Sequence, residues 1–356
     1  MFAALFRACG AALVLLALAP CAAATDAPPS ERLRAREAFA RDGFGIFVHW
    51  GIYAAWGKGE WHLNKSRMPL ADYEARAAEF NPTNFDAYFA FMTNQLSELL
   101  TRYGPVRCIW FDGEWDHGRR SGFDWRLDRL YGLVHGLQPA CLVGNNSHAD
   151  LLDGEDFQIW EINYPGDHAG HMNDGQTVAS GVPLECCWST TDSAWGYNPD
   201  DPLSKMTATE IVRRLVRTRA RGANLLLNVA PAPDGTIPET IRARLAEVGA
   251  WIRAHGHTVL GTEPAAYKVL STVSTISPDG KKVWLHCLSD ANPKYGMWMQ
   301  AHYRILAATN EITGEPIPFE QVERNGRSML LMTLAIPEGI PDTIVRLDVE
   351  PFPEKP

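Results

Sequence analysis

Val106-Arg107-Cys108-Ile109-Trp110-Phe111-Asp112-Gly113-Glu114-Trp115 is the stretch on which the reading of this chain turns. Its apolar part, residues 106–111, is short, follows Gly104-Pro105 and is rich in branched and aromatic side chains. That combination predicts a buried strand rather than a helix. A carboxylate, Asp112, then stands at the strand's C-terminal end, directly before a glycine. In a barrel of parallel strands that end opens onto the ligand site, so a carboxylate there is a candidate for chemistry. The competing structural role for such an Asp is to cap a helix or fix a loop.

Working outward, strands and helices alternate. Helices are predicted at 32–41, 70–80, 85–103, 124–137, 207–222 and 239–255, and further strands at 44–51, 140–144, 184–188 and 223–229. Residues 150–181 are rich in Gly and Asp and carry no regular pattern, which predicts a long loop. The alternation predicts an α/β fold with a parallel, (β/α)8-like barrel. Beyond residue 262 the helical periods stop. Strand-like runs at 267–275, 282–288, 297–305, 329–335 and 343–349, split by turns such as Pro278-Asp279-Gly280, predict a small C-terminal β-sandwich. The expected organisation is a signal peptide at 1–24, a barrel-like domain at 25–262 and a β-sandwich at 263–356.

Composition narrows the function classes. The 356 residues carry 33 Lys and Arg against 42 Asp and Glu, a net charge of −9, and no basic cluster of the kind that binds nucleic acid. Arg7, an apolar run at 11–19 and Ala22-Ala23-Ala24 fit a cleaved secretory signal, which predicts a secreted or periplasmic protein; Cys21 after Pro20 fits a lipoprotein anchor less well. No later stretch is long enough to span a membrane, so no stable membrane insertion is expected. Seven cysteines without repeating spacing are not a disulfide framework, and the absence of C-x-x-C or H-E-x-x-H patterns predicts no metal site. Twelve Trp fit either core filling or sugar platforms, whose flat faces pack on C–H groups.

Hydrolysis of a glycosidic bond needs two carboxyl groups flanking it. Beside Asp112, the sequence offers Glu185 in the apolar context Pro183-Leu184-Glu185-Cys186-Cys187-Trp188, where burial would keep a carboxyl protonated. Glu114, Glu155, Asp156 and Glu161 are further candidates, and pattern alone does not choose among them. His49 ends the first predicted strand, and Glu60-Trp61 follows a Gly-rich turn, pairing a hydroxyl acceptor with an aromatic platform.

At this point a resemblance becomes specific. The segments Phe44-Gly45-Ile46-Phe47-Val48-His49-Trp50-Gly51, Gly59-Glu60-Trp61, Phe80-Asn81-Pro82, Trp110-Phe111-Asp112-Gly113 and Gly154-Glu155-Asp156-Phe157 are similar to consecutive signatures of the family 29 α-L-fucosidases. Pro183-Leu184-Glu185, Trp195-Gly196-Tyr197 and Gly222-Ala223-Asn224-Leu225-Leu226-Leu227-Asn228-Val229 continue the series in order. The resemblance implies Asp112 as nucleophile and Glu185 as acid/base. It implies His49, Glu60, Trp61, Trp110 and His148 as residues lining a fucose pocket, a fucosylated glycan as substrate, and no cofactor. It also implies an internally shortened barrel. The family carries further βα units between the Phe85-Asp86 region and the nucleophile strand, one ending in paired histidines, and this chain has no His-His pair. Two function classes therefore stay open: a retaining exo-α-L-fucosidase, and a truncated homologue that binds carbohydrate without turnover.

Overall fold

The structure, a computed structural model, describes residues 30–48, 66, 69, 85–113, 123–167, 175–191, 195–198, 206–267, 272–288 and 295–352. The expected signal peptide and the expected helix at 70–80 lie outside the described residues. The first part of the chain runs α1 (Ser30–Asp42), β1 (Phe44–Val48), α2 (Phe85–Arg102), β2 (Cys108–Asp112), α3 (Leu127–Leu137), β3 (Leu142–Asn146), β4 (Gln158–Glu161), β5 (Leu184–Ser189), α4 (Ala208–Arg219), β6 (Ala223–Val229) and α5 (Glu239–His255).

Local chemistry sets these boundaries. Thr207 caps α4 by accepting from the Glu210 N–H, while the Glu210 carboxylate accepts from the Thr207 N–H, so two otherwise unpaired helix-end donors are satisfied together. Between α1 and β1 the chain turns at Gly43 with φ +75°, a backbone region that disfavours a side chain. The Gly43 N–H is taken up by Asn224 Oδ1 at 2.9 Å.

All strand pairs of this part are parallel, in the orders β1-β6-β5-β4 and β2-β3. The two sheets abut between β3 and β4, where the Asp156 N–H donates to the Val143 carbonyl and Asp156 Oδ2 accepts from the Val143 N–H at 2.9 Å. Because side chains alternate along a strand, each strand presents one set to the helices and the other to a shared interior. Ile211 and Leu215 of α4 pack on Leu225 and Leu227 outside. Phe89, Leu130 and Val134 of α2 and α3 cover Val143 and Ile109. The interior floor is Leu142, Phe157, Ile159, Cys187 and Leu226, with Trp110 and Phe47 packed against them. Trp110 of β2 reaches Phe47 of β1, ring centroids 6.1 Å apart, so the strands curl around that interior.

The second part is antiparallel. Strands β7 (Glu263–Pro264), β8 (Thr272–Ile276), β9 (Lys282–Cys287), β11 (Arg304–Asn310) and β14 (Thr343–Glu350) form one sheet in the order β11-β14-β9-β8-β7. A second sheet has the order β10-β13-β12, from β10 (Tyr295–Gln300), β12 (Phe319–Arg324) and β13 (Arg327–Leu334). Val283, Leu285, Val345 and Leu347 of the first share a core with Leu330, Met332 and Leu334 of the second. That is the expected sandwich.

Three expectations need correction. The loop read over 150–181 contains strand β4, whose Gln158 and Glu161 are buried polar residues that erase any apolar signature. The run at 297–305 is two strands, broken at residues 301–303. Strand β12 went unread because it alternates partly covered and exposed residues on a polar sequence. Among the described residues, no helix is long and apolar enough to cross a membrane.

Candidate active site

Four inward-facing polar side chains meet at the C-terminal ends of β2, β3 and β4. Asp112 is the exposed last residue of β2, and its Oδ1 accepts the N–H of Gly113, where the chain turns with φ +91°. Its register partner on β3 is Asn146. The Asn146 side-chain amide donates to Asp112 Oδ1 at 3.3 Å and to Glu161 Oε2, at the end of β4, at 2.6 Å. His148 completes the group with its Nε2 3.0 Å from the same Glu161 oxygen. His148 sits at φ +55°, a conformation costly for a side chain bearing a Cβ and concentrated at functional sites.

Glu185 occupies a different layer. It pairs across the sheet with Ile159 and Asn224, two residues below the register pair of Cys187 with Glu161. Two residues of strand are about 6–7 Å. Trp110, itself two residues below Asp112, donates its Nε1–H to Glu185 Oε1 at 2.9 Å. Burial pushes the Glu185 carboxyl up to about 7, and the Trp110 bond offsets that only in part. Burial also pushes the inward thiol of Cys187 upward, reinforced by Glu161, Glu185 and Asp112, so it is held as a neutral SH.

The rim is braced from β6. The Asn228 amide donates to Ser189 Oγ at 2.9 Å and to the Trp195 carbonyl at 2.7 Å, and the Trp195 ring lies 5.7 Å from that of Phe47. A few convergent polar groups over an apolar, aromatic floor is the general form of a small-molecule site.

Of the residues expected from sequence, the structure brings together Asp112, Trp110, His148 and Glu185. His49, Glu60, Trp61 and the further candidate Glu114 lie outside the described residues. Glu155 and Asp156 serve elsewhere. Asp156 is fully buried between Arg36 (2.6 Å) and His135 (2.8 Å). Burial alone would raise its carboxyl, but His135, Arg36 and the Val143 N–H together hold it below the usual range. Glu155 accepts from the Tyr131 hydroxyl at 2.9 Å and the Leu152 N–H at 3.0 Å. Sequence reasoning overlooked Asn146 and Asn228. Each is an amide in the last two residues of a predicted or observed strand, a position that could have marked it.

The sequence profile of the α-L-fucosidase family matches residues 18–90 and 70–257. The chain is 28% identical over 367 residues to the bovine tissue α-L-fucosidase, covering 76% of this chain and 78% of that protein. It is 29% identical over 234 residues to a Caenorhabditis elegans relative, of which it spans 43%, with 64% of this chain covered. Among solved structures, α-L-fucosidase isoenzyme 1 from Paenibacillus thiaminolyticus superposes with a TM-score of 0.70 at 23% identity, over 90% of this chain and 100% of that one. A family 29 α-L-fucosidase from Bacteroides thetaiotaomicron gives 0.72 at 18%, over 92% and 97%. These structural likenesses establish a common fold. The chain belongs to the α-L-fucosidase family.

Proposed function

We propose that this member of the α-L-fucosidase family is a retaining exo-acting glycosidase that removes terminal α-L-fucose from a glycan, exported by the signal segment expected at its N-terminus. The six parallel strands would form most of a (β/α)8-like wall, shortened between β1 and β2. One observation carries the reading. Asp112 and Glu161 each keep an oxygen within hydrogen-bonding distance of a single nitrogen, at 3.3 and 2.6 Å, which holds the two oxygens within about 6 Å of each other. Retaining glycosidases separate their two carboxyl groups by about 5–5.5 Å, close enough for one to attack the anomeric carbon that the other serves by proton transfer.

In this reading an Asp112 oxygen attacks the anomeric carbon, the bond to the leaving oxygen breaks, and that oxygen takes its electron pair and the proton of the second carboxyl. The resulting carboxylate then takes a proton from water as the water oxygen displaces Asp112, so the configuration is retained. Glu185, the donor expected from sequence, has a raised pKa that suits the role. Its layer does not: it lies a step below Asp112, beneath the Trp110 ring edge, whereas Glu161 shares the Asp112 level. We therefore assign the proton transfer to Glu161, and to Glu185 the fixing of Trp110 as pocket floor.

The test is hydrolysis of aryl α-L-fucosides by the purified chain beside Asp112→Ala, Glu161→Ala and Glu185→Ala. Loss of the proton donor harms substrates with poor leaving groups far more than dinitrophenyl fucoside, and added azide then yields fucosyl azide. That pattern is expected for Glu161→Ala; finding it for Glu185→Ala instead reverses the assignment. The second reading, glycan binding without turnover, is favoured by the missing His-His pair. It prevails if a folded wild-type chain binds fucosylated glycan and releases nothing.

A further inference from the structure

Among the described residues, Asn146 is the side chain that donates to both carboxylates at the mouth. It is only 2% exposed. The orientation of its amide is dictated by its neighbours, because turning the oxygen toward Asp112 and Glu161 would oppose acceptor to acceptor. This leaves Oδ1 buried with no hydrogen-bond partner. A buried acceptor without a partner costs stability.

We infer that Asn146 is a positioning residue whose single amide group serves both carboxylates of the reaction, following the negative charge from Asp112 to Glu161 and back. The inference rests on the retaining reading above. Before the first step the charge sits on Asp112 and the proton on the second carboxyl. After it, Asp112 is an uncharged ester and Glu161 is ionised, so the pair carries one negative charge throughout. The Asn146 NH2 has two hydrogens, one aimed at each carboxylate, and can strengthen the bond to whichever is charged. A hydrogen bond stabilises the ionised form of a carboxyl, and a shared donor is placed to serve either member when it is charged. Among the described residues, the other titratable groups facing the pair are His148 after β3, which touches Glu161, Cys187 of the neighbouring strand β5 at the Glu161 level, and Glu185 one layer down. Among the described residues, none of these donates to both carboxylates as Asn146 does.

The experiment is a pH titration of the full chain labelled with 13C at Asp and Glu side-chain carboxyls, followed by NMR for wild type and Asn146→Ala, with Asp112→Asn and Glu161→Gln supplying the assignments. A pH profile of kcat/KM is recorded on the same samples. Asn146→Ala is expected to move the Asp112 and Glu161 titrations upward together, each by about one pH unit, and both limbs of the rate profile with them. Should that variant not fold, Asn146→Ser, which keeps one donor, is expected to move them by a smaller amount. Titrations that superimpose on wild type overturn the inference, since a merely structural residue lowers the yield or the rate without shifting either group. The NMR readout needs no turnover. An inactive chain whose titrations shift therefore overturns the proposed activity alone, and an active chain whose titrations stay put overturns this inference alone.

Discussion

Asp156 and Glu161 lie five residues apart, both with almost no exposed surface, and the molecule treats them in opposite ways. Asp156 is enclosed by Arg36, His135 and the Val143 N–H, with Arg32 at 3.9 Å. Every lone pair of its carboxylate has a claimant, and two of them come from elements distant in sequence. Glu161 has a neutral amide and one imidazole at the open end of the strands. The first arrangement compensates charge fully and fixes α1 and α3 onto the strands. The second, among the described residues, sets no Arg or Lys against the carboxylate and places it beside another at the same level. Burial alone therefore does not separate a structural acid from a chemical one; the number and charge of its partners do.

The sharpest way to break that contrast is to exchange the roles by mutation. Asp112→Ala is expected to lower turnover of an aryl α-L-fucoside by about 10⁴-fold while leaving the urea midpoint unchanged or slightly raised. Asp156→Asn should do the reverse, costing about 3–5 kcal/mol of stability by stranding Arg36 and His135, with turnover per folded molecule preserved. Equal losses of activity and stability in either variant would dissolve the distinction. The pH dependence follows from the direction of the Asp156 shift. Its folded-state value is depressed, so its contribution is complete above the ordinary carboxylate range near pH 4 and is lost as the pH falls through the folded value. Acid unfolding curves should show that loss in wild type, and a smaller one in Asp156→Asn.

Two smaller effects sharpen the picture. Trp110→Phe removes the only donor to buried Glu185 among the described residues and should cost about 1–3 kcal/mol, while raising that carboxyl further above about 7. Guanidinium denaturation and a carboxyl titration read the two together. Thr207→Ala, which undoes the cap of α4 far from the mouth, should cost about 1 kcal/mol with no change in rate, measurable as a shift in Tm.

Much of this was legible in the sequence where one rule acts alone. A short apolar run ending in Asp112 and Gly113 announced its strand and its carboxylate, and the Ala223–Val229 strand followed its helix as expected. Strand β4 was not legible, because both of its faces carry a polar residue: Gln158 turns outward to the Thr177 carbonyl and Glu161 inward to the mouth. The choice between Glu185 and Glu161 was out of reach for another reason. Depth along a parallel sheet depends on register between strands about 25 residues apart, and composition carries no ruler for that. The run at 297–305 misled because Gln300, His302 and Arg304 alternate with apolar residues as they would along one strand, which conceals the corner at residues 301–303.

The tie between Gly43 and Asn224 has a consequence for how the molecule is made. β1 pairs in register with β6. The hydrogen bonds that seat its entrance, Gly43 N–H to Asn224 and Asn224 to the Phe39 carbonyl, span 181 and 185 residues of chain. Arg219, reaching the Ala40 carbonyl, spans 179. On a ribosome adding about 5–20 residues per second, the first strand emerges on the order of ten seconds or more before its partner exists. The strand β1 therefore stays without its sheet partner while β2 to β5 are being made. Ile46 and Phe47 must be kept from other sheets through that interval, so nascent-chain protection bears on this protein's yield as directly as the strength of its finished core.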